Sequence, residues 1–197
     1  MPTALVIENE ASSSYLFVVA LVNKQGGFAC GGILINSRHL ITAHCVKGTG
    51  KVVVGRNDLI RNGKNYSVKD FVSHPNYTRL PSPANDIAVI ILSEDVSEVT
   101  EFPKRATAEL DDYDTFCKAL GKGSSSFLGN LSRKLKLWYS QNSNYLTPPS
   151  EKRNTSSKRD YLVPSALFLN PESPGNSGLF TQVYFFNYWI DSAINDN

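Results

Sequence analysis

Residues 28–45 read F-A-C-G-G-I-L-I-N-S-R-H-L-I-T-A-H-C, and this stretch decides the fold. Apolar and β-branched side chains crowd it: Ile33, Leu34, Ile35, Leu40, Ile41 and Thr42. Such residues fit a pleated, half-buried surface better than a helix. After a Gly31-Gly32 entry, residues 32–41 are expected as strand. The run then closes on two small residues, Thr42 and Ala43, followed by His44 and Cys45. Cys30 stands upstream, one strand pair away, and a bond between Cys30 and Cys45 would pin the histidine's segment to its neighbour. His39 and His74 lack that setting and read as ordinary surface or core residues.

Similar runs extend to both sides. Residues 15–22 (YLFVVALV), 51–54, 66–72 and 87–92 (IAVIIL) are short, apolar and bounded by Gly, Asn or Ser turn signals. Strands at such regular intervals indicate a β-sandwich or barrel. Residues 93–114 are acidic and turn-rich, with Pro103 near the middle, and read as a linker between two halves. Residues 116–121 and 131–139 are candidate strands of the second half. In the latter, Leu131, Leu135 and Leu137 could share one face, with Lys134 and Lys136 on the other. Residues 140–160 are polar, contain Pro148-Pro149 and read as a solvated loop, with a basic docking site as the alternative. At the end, Val183, Phe186, Ile190 and Ile194 recur at helical spacing around Trp189, which predicts a C-terminal amphipathic helix.

The 197 residues suit a single domain, and 41% hydrophobic content is enough for a real core. A formal net charge of +2 points to no nucleic-acid partner. No apolar run is long enough to span a membrane. No signal peptide is read at the N-terminus. Four N-x-S/T sequons, at Asn65, Asn76, Asn130 and Asn154, give weak support for an exported chain. The three cysteines allow one disulfide and leave one thiol over. There is no C-x-x-C pair, so no zinc site and no cofactor are expected.

Hydrolysing an amide needs a nucleophile, a base, a carboxylate to orient the base, and donors for the oxyanion. His44 is the candidate base. Asp86 precedes a wholly apolar run, where a buried carboxylate needs a partner. An imidazole N–H would satisfy it, although a strand-entry turn aspartate reads equally well there. Ser177 lies in S-P-G-N-S-G, where flanking glycines permit a tight turn that exposes the hydroxyl. Amides of Gly175 and Ser177 could then form an oxyanion hole. Taken alone, the same residues suit any turn.

Residues 28–45 closely resemble the histidine block of trypsin- and chymotrypsin-like serine proteases. N-D-I-A-V-I-I-L (85–92) resembles their aspartate block, and S-H-P-N-Y (73–77) matches just upstream. C-K-A-L-G-K-G (117–123) resembles their cysteine segment, and residues 179–194 their terminal strand and helix. The resemblance implies an all-β fold of two antiparallel six-stranded barrels with a short C-terminal helix. Residues 1–100 would form the first barrel, carrying His44 and Asp86. Residues 101–197 would form a truncated second barrel carrying Ser177. It implies a secreted, monomeric serine endopeptidase acting on proteins or peptides through an acyl-enzyme and open to protease inhibitors. It also implies a Cys30–Cys45 disulfide and a primary pocket at Pro171 and Glu172.

This chain departs from the family pattern at several points. Leu5-Val6-Ile7-Glu8 stands for the usual I-V-G-G, and Asn176 for the aspartate before the nucleophile. The histidine block reads T-A-H-C, one residue short of T-A-A-H-C. Only one strand fits between Ser177 and Trp189, and residues 177–183 also resemble the later P-G-V-Y-T-R-V segment. A catalytically impaired homologue acting as a binding or regulatory module is therefore the alternative expectation.

Overall fold

The computed structural model describes residues 15–44, 48–55, 63–78, 84–105, 107, 116–121, 136–141, 168–169, 178–179, 181 and 183–196. Six strands come first: β1 Val18–Asn23, β2 Phe28–Leu34, β3 His39–Thr42, β4 Thr49–Val54, β5 Lys64–Ser73 and β6 Ala88–Leu92. They close into a barrel in the order β1-β2-β3-β6-β5-β4, every neighbouring pair antiparallel. Closure leaves the barrel no exposed edge strand.

The barrel interior holds Val19, Leu21, Leu34, Leu40, Val52, Val54, Tyr66, Ala88, Ile90 and Leu92 in one buried cluster. Gly32 is needed in this wall. A Cβ there would lie 2.7 Å from Leu40 Cδ1 and 3.3 Å from Val19 Cγ2. Tyr66 is fully buried, and its hydroxyl donates to Glu98, which also pairs with Lys64 at 3.1 Å.

The expected single strand over 32–41 is two strands. Asn36 Oδ1 accepts the backbone N–H groups of Arg38 at 2.9 Å and His39 at 2.8 Å. That side-chain-closed turn reverses the chain between β2 and β3. Apolar periodicity cannot reveal such a turn, because Ile33 and Leu40 flank it on both sides.

The second half contributes, among the described residues, β7 Phe116–Gly121 paired with β8 Lys136–Gln141, and β9 Phe168–Leu169 paired with β10 Gly178–Leu179. Strand β7 matches its expected span. Strand β8 overlaps the expected 131–139 over residues 136–139, and residues 131–135 lie outside the described residues. Residues 93–105 are irregular, as a linker requires. A 3-10 turn, Val183–Phe186, leads into helix α1, Asn187–Asn195.

Helix α1 lies on the outside of the barrel, and this contact explains β6. Side chains alternate faces along a strand. Ala88, Ile90 and Leu92 point into the barrel, while Ile87 and Val89 join Ile41 beneath Val183, Ile190 and Ala193. Both faces of β6 are covered, so it reads as an unbroken apolar run. Arg105 fastens the linker to the helix, bonding the Asn187 carbonyl at 3.3 Å and the Asp191 carboxylate.

Candidate active site

The barrel register carries His44 to Asp86. Strand β3 pairs with β6 through Thr42↔Ala88. Two residues beyond Thr42 is His44, and two residues before Ala88 is Asp86, so the same register sets them opposite. The contact is made: the His44 backbone N–H donates to Asp86 Oδ1 at 2.7 Å. The shortened T-A-H-C therefore still brings the backbone of His44 to the Asp86 carboxylate. Thr42 steadies the end of β3 by donating its hydroxyl to the Gly31 carbonyl at 2.7 Å.

Asp86 is buried, at 8% exposure. A carboxylate so placed must be held by donors. Its backbone is fixed from two directions. Asn85 adopts a left-handed φ of 54°, a conformation asparagine tolerates better than most residues. Asn85 Nδ2 donates to the Asn76 carbonyl at 2.8 Å. Thr181, from the far end of the chain, donates its hydroxyl to the Asp86 carbonyl at 3.1 Å. Asp86 is thus a buried acid whose backbone is held by a distant segment.

The imidazole of His44 takes an unexpected position. It stacks on Tyr77, with ring centroids 3.8 Å apart and planes within 10°. Its Nδ1 is buried and makes no hydrogen bond. The backbone of His44 is therefore tied to Asp86 while its ring is not. Tyr77 reaches this point from a turn after β5, closed by its N–H donating to the His74 carbonyl at 3.1 Å.

Cys30 is disulfide-bonded. Ser177, Gly175, Asn176, Pro171, Glu172 and Cys45 lie outside the described residues. Sequence reasoning missed three contributors: Tyr77, Asn85 and Thr181. The first two stood inside segments quoted for their resemblance, S-H-P-N-Y and N-D-I-A-V-I-I-L. Nothing local marks Thr181, because its contact spans 95 positions of sequence.

A closed six-stranded antiparallel barrel, with a buried acid beside a histidine at its end and a short C-terminal helix packed on its outside, is the pattern of a trypsin-like fold. The family model described as Trypsin matches residues 6–178. The chain belongs to the trypsin family of serine proteases. Vitamin K-dependent protein C of Mus musculus is 41% identical over 80 residues, covering 38% of this chain and 17% of that protein. Granzyme M of Homo sapiens is 26% identical over 125 residues, covering 60% of this chain and 49% of that protein. The chain thus spans half or less of these curated relatives. The solved structure of human heparin binding protein superposes with a TM-score of 0.74 at 22% identity, covering 98% of each chain. That likeness is one of fold.

Proposed function

We propose that the protein is a serine endopeptidase that cleaves peptide bonds by acyl transfer. The observation that carries this reading is the buried Asp86 carboxylate bonded at 2.7 Å to the backbone of His44. Asp86 orients the imidazole, and His44 takes the Ser177 hydroxyl proton as that oxygen attacks the substrate carbonyl. His44 then gives the proton to the leaving amine, and water attacking the acyl-enzyme regenerates Ser177. Amides of Gly175 and Ser177 stabilise the oxyanion. Chain connectivity supports Ser177 in this role. Thr181 is anchored on Asp86, and four residues of extended chain reach at most about 14 Å.

On this reading the first barrel is residues 1–100, and residues 101–197 form the truncated second half. Pro171 and Glu172 border the primary pocket, where Pro171 offers no charge for an Arg or Lys side chain. Cys30 pairs with Cys45. The protein works outside the cell as a monomer on protein or peptide substrates, and protease inhibitors bind the same cleft. A fluorophosphonate probe is expected to label the folded protein at Ser177 and to leave Ser177→Ala unlabelled. Failure to label a folded sample defeats the proposal.

A second reading, a binding or regulatory module without turnover, is favoured by β10. Gly178 pairs with Leu169 there, and the 3-10 turn before α1 already starts at Val183. Ser177 is then joined almost directly to the terminal block, with no length for the pocket strands of active relatives. Turnover of a casein-type substrate, abolished by Ser177→Ala, removes this reading.

A further inference from the structure

We propose that Tyr77 is a positioning residue that holds the His44 imidazole in a resting orientation, withdrawn from Asp86. This inference rests on the roles assigned above to His44 and Asp86. It begins from a mismatch within one residue. The His44 backbone N–H reaches the Asp86 carboxylate at 2.7 Å, yet the ring nitrogen nearest the backbone, Nδ1, is buried without a partner. A buried polar atom left unbonded is unfavourable and persists only where something else holds it. The holding contact is the parallel stack on Tyr77, at 3.8 Å and 10°.

Tyr77 is well braced for that task. Its own N–H donates to the His74 carbonyl at 3.1 Å. Thr78 and Ala84 exchange both backbone hydrogen bonds, at 3.1 and 3.0 Å. Asn85 Nδ2 ties the carbonyl of Asn76 at 2.8 Å. The turn that presents Tyr77 is therefore fastened to the residue immediately before Asp86. One framework carries both competitors for the imidazole, the aromatic face and the carboxylate. In the stacked orientation His44 cannot be oriented by Asp86, so the chain rests with its base misdirected. In the other orientation Nδ1–H donates to Asp86, and Nε2 is left basic towards Ser177. The two orientations form an equilibrium that Tyr77 biases, and removing its ring shifts the population to the carboxylate-bonded one.

The test is nuclear magnetic resonance of the full chain, with ring resonances of its three histidines assigned through His44→Gln. Ring-current shielding by Tyr77 is expected to displace the His44 ring protons upfield in the unaltered protein. Tyr77→Phe keeps that displacement. Tyr77→Ala and Tyr77→Leu abolish it and gain a strongly deshielded Nδ1–H resonance, which Asp86→Asn removes. Fluorophosphonate labelling of Ser177 should then rise roughly three- to tenfold, the range that loss of one aromatic pair can shift. His44 ring protons at ordinary positions in the unaltered protein overturn the proposal. So does a folded Tyr77→Ala or Tyr77→Leu protein that never gains the deshielded proton. If that proton appears while labelling stays absent, the role of Tyr77 stands and the nucleophile assignment of Ser177 fails.

Discussion

On the proposed mechanism, Asp86 carries two obligations that pull on the same carboxylate: it must remain buried, and it must steer an imidazole. Folding meets the first through the His44 backbone N–H, and Thr181 steadies the adjoining carbonyl. Asparagine fills the same volume without the charge and leaves His44 in the wrong tautomer. Asp86→Asn is therefore expected to lower kcat by about four orders of magnitude, as in the template triad. The check is steady-state hydrolysis of a peptide ester, with circular dichroism to confirm the fold. Gly32 is under a different kind of constraint. An added methyl would sit 2.7 Å from Cδ1 of the fully buried Leu40, which would have to shift. Gly32→Ala is expected to cost about 1–3 kcal/mol, read from urea denaturation.

Strand β6 and helix α1 are one packing unit. Ile190 is fully buried against the outer face of β6 and β3, and its loss would open a cavity under the helix. Ile190→Ala is expected to destabilise the protein by about 2–5 kcal/mol, measured by thermal or chemical unfolding. The same seam is sensitive to acid. His74 lies against Phe186 and Trp189, with ring centroids at 5.3 and 5.0 Å. Its Nδ1 accepts the Asn76 N–H at 3.2 Å, a bond that protonation of this nitrogen destroys. Burial holds the His74 pKa below its ordinary 6.5. Burial, aided by Arg38, does the same for His39. In both cases the unfolded chain binds the proton first. Their contribution to stability is thus complete above pH 6.5 and is lost as pH falls through that value towards the lowered folded values. Denaturation midpoints should drop over this window, and His74→Gln should flatten part of the fall.

At the scale of the folded chain, long-range hydrogen bonds join segments far apart in sequence. Arg105 is tied to α1, and Thr181 is tied to the Asp86 carbonyl. The proposed disulfide between Cys30 and Cys45 would add a covalent clamp beside the candidate base. With Cys45 as partner, the closed loop is of a size that contributes about 3 kcal/mol by restricting the unfolded chain. Reduction is expected to lower the melting temperature, and peptide mapping of the unreduced protein should recover Cys30 joined to Cys45. Recovery of Cys30 joined to Cys117 would refute that pairing.

Strand identity was readable from local pattern, because a half-buried surface demands apolar, β-branched runs of a definite length. That is why 51–54, 116–121 and the run ending at Leu92 emerged close to their observed spans. Asp86 stood out as a polar residue at the mouth of an apolar strand, and His44 by the small residues and the cysteine that flank it. The closing bonds of the turn at Asn36, accepted by one side chain, were not readable, although the polar Asn36-Ser37-Arg38 between two apolar runs marks the turn itself. Nor was the orientation of the His44 ring. A sequence names the residues that could share a cleft, but the competition between Asp86 and Tyr77 for one imidazole exists only once antiparallel register brings β3, β5 and β6 together. Register and long-range hydrogen bonds decide such contests, because neither leaves a mark on neighbouring residues.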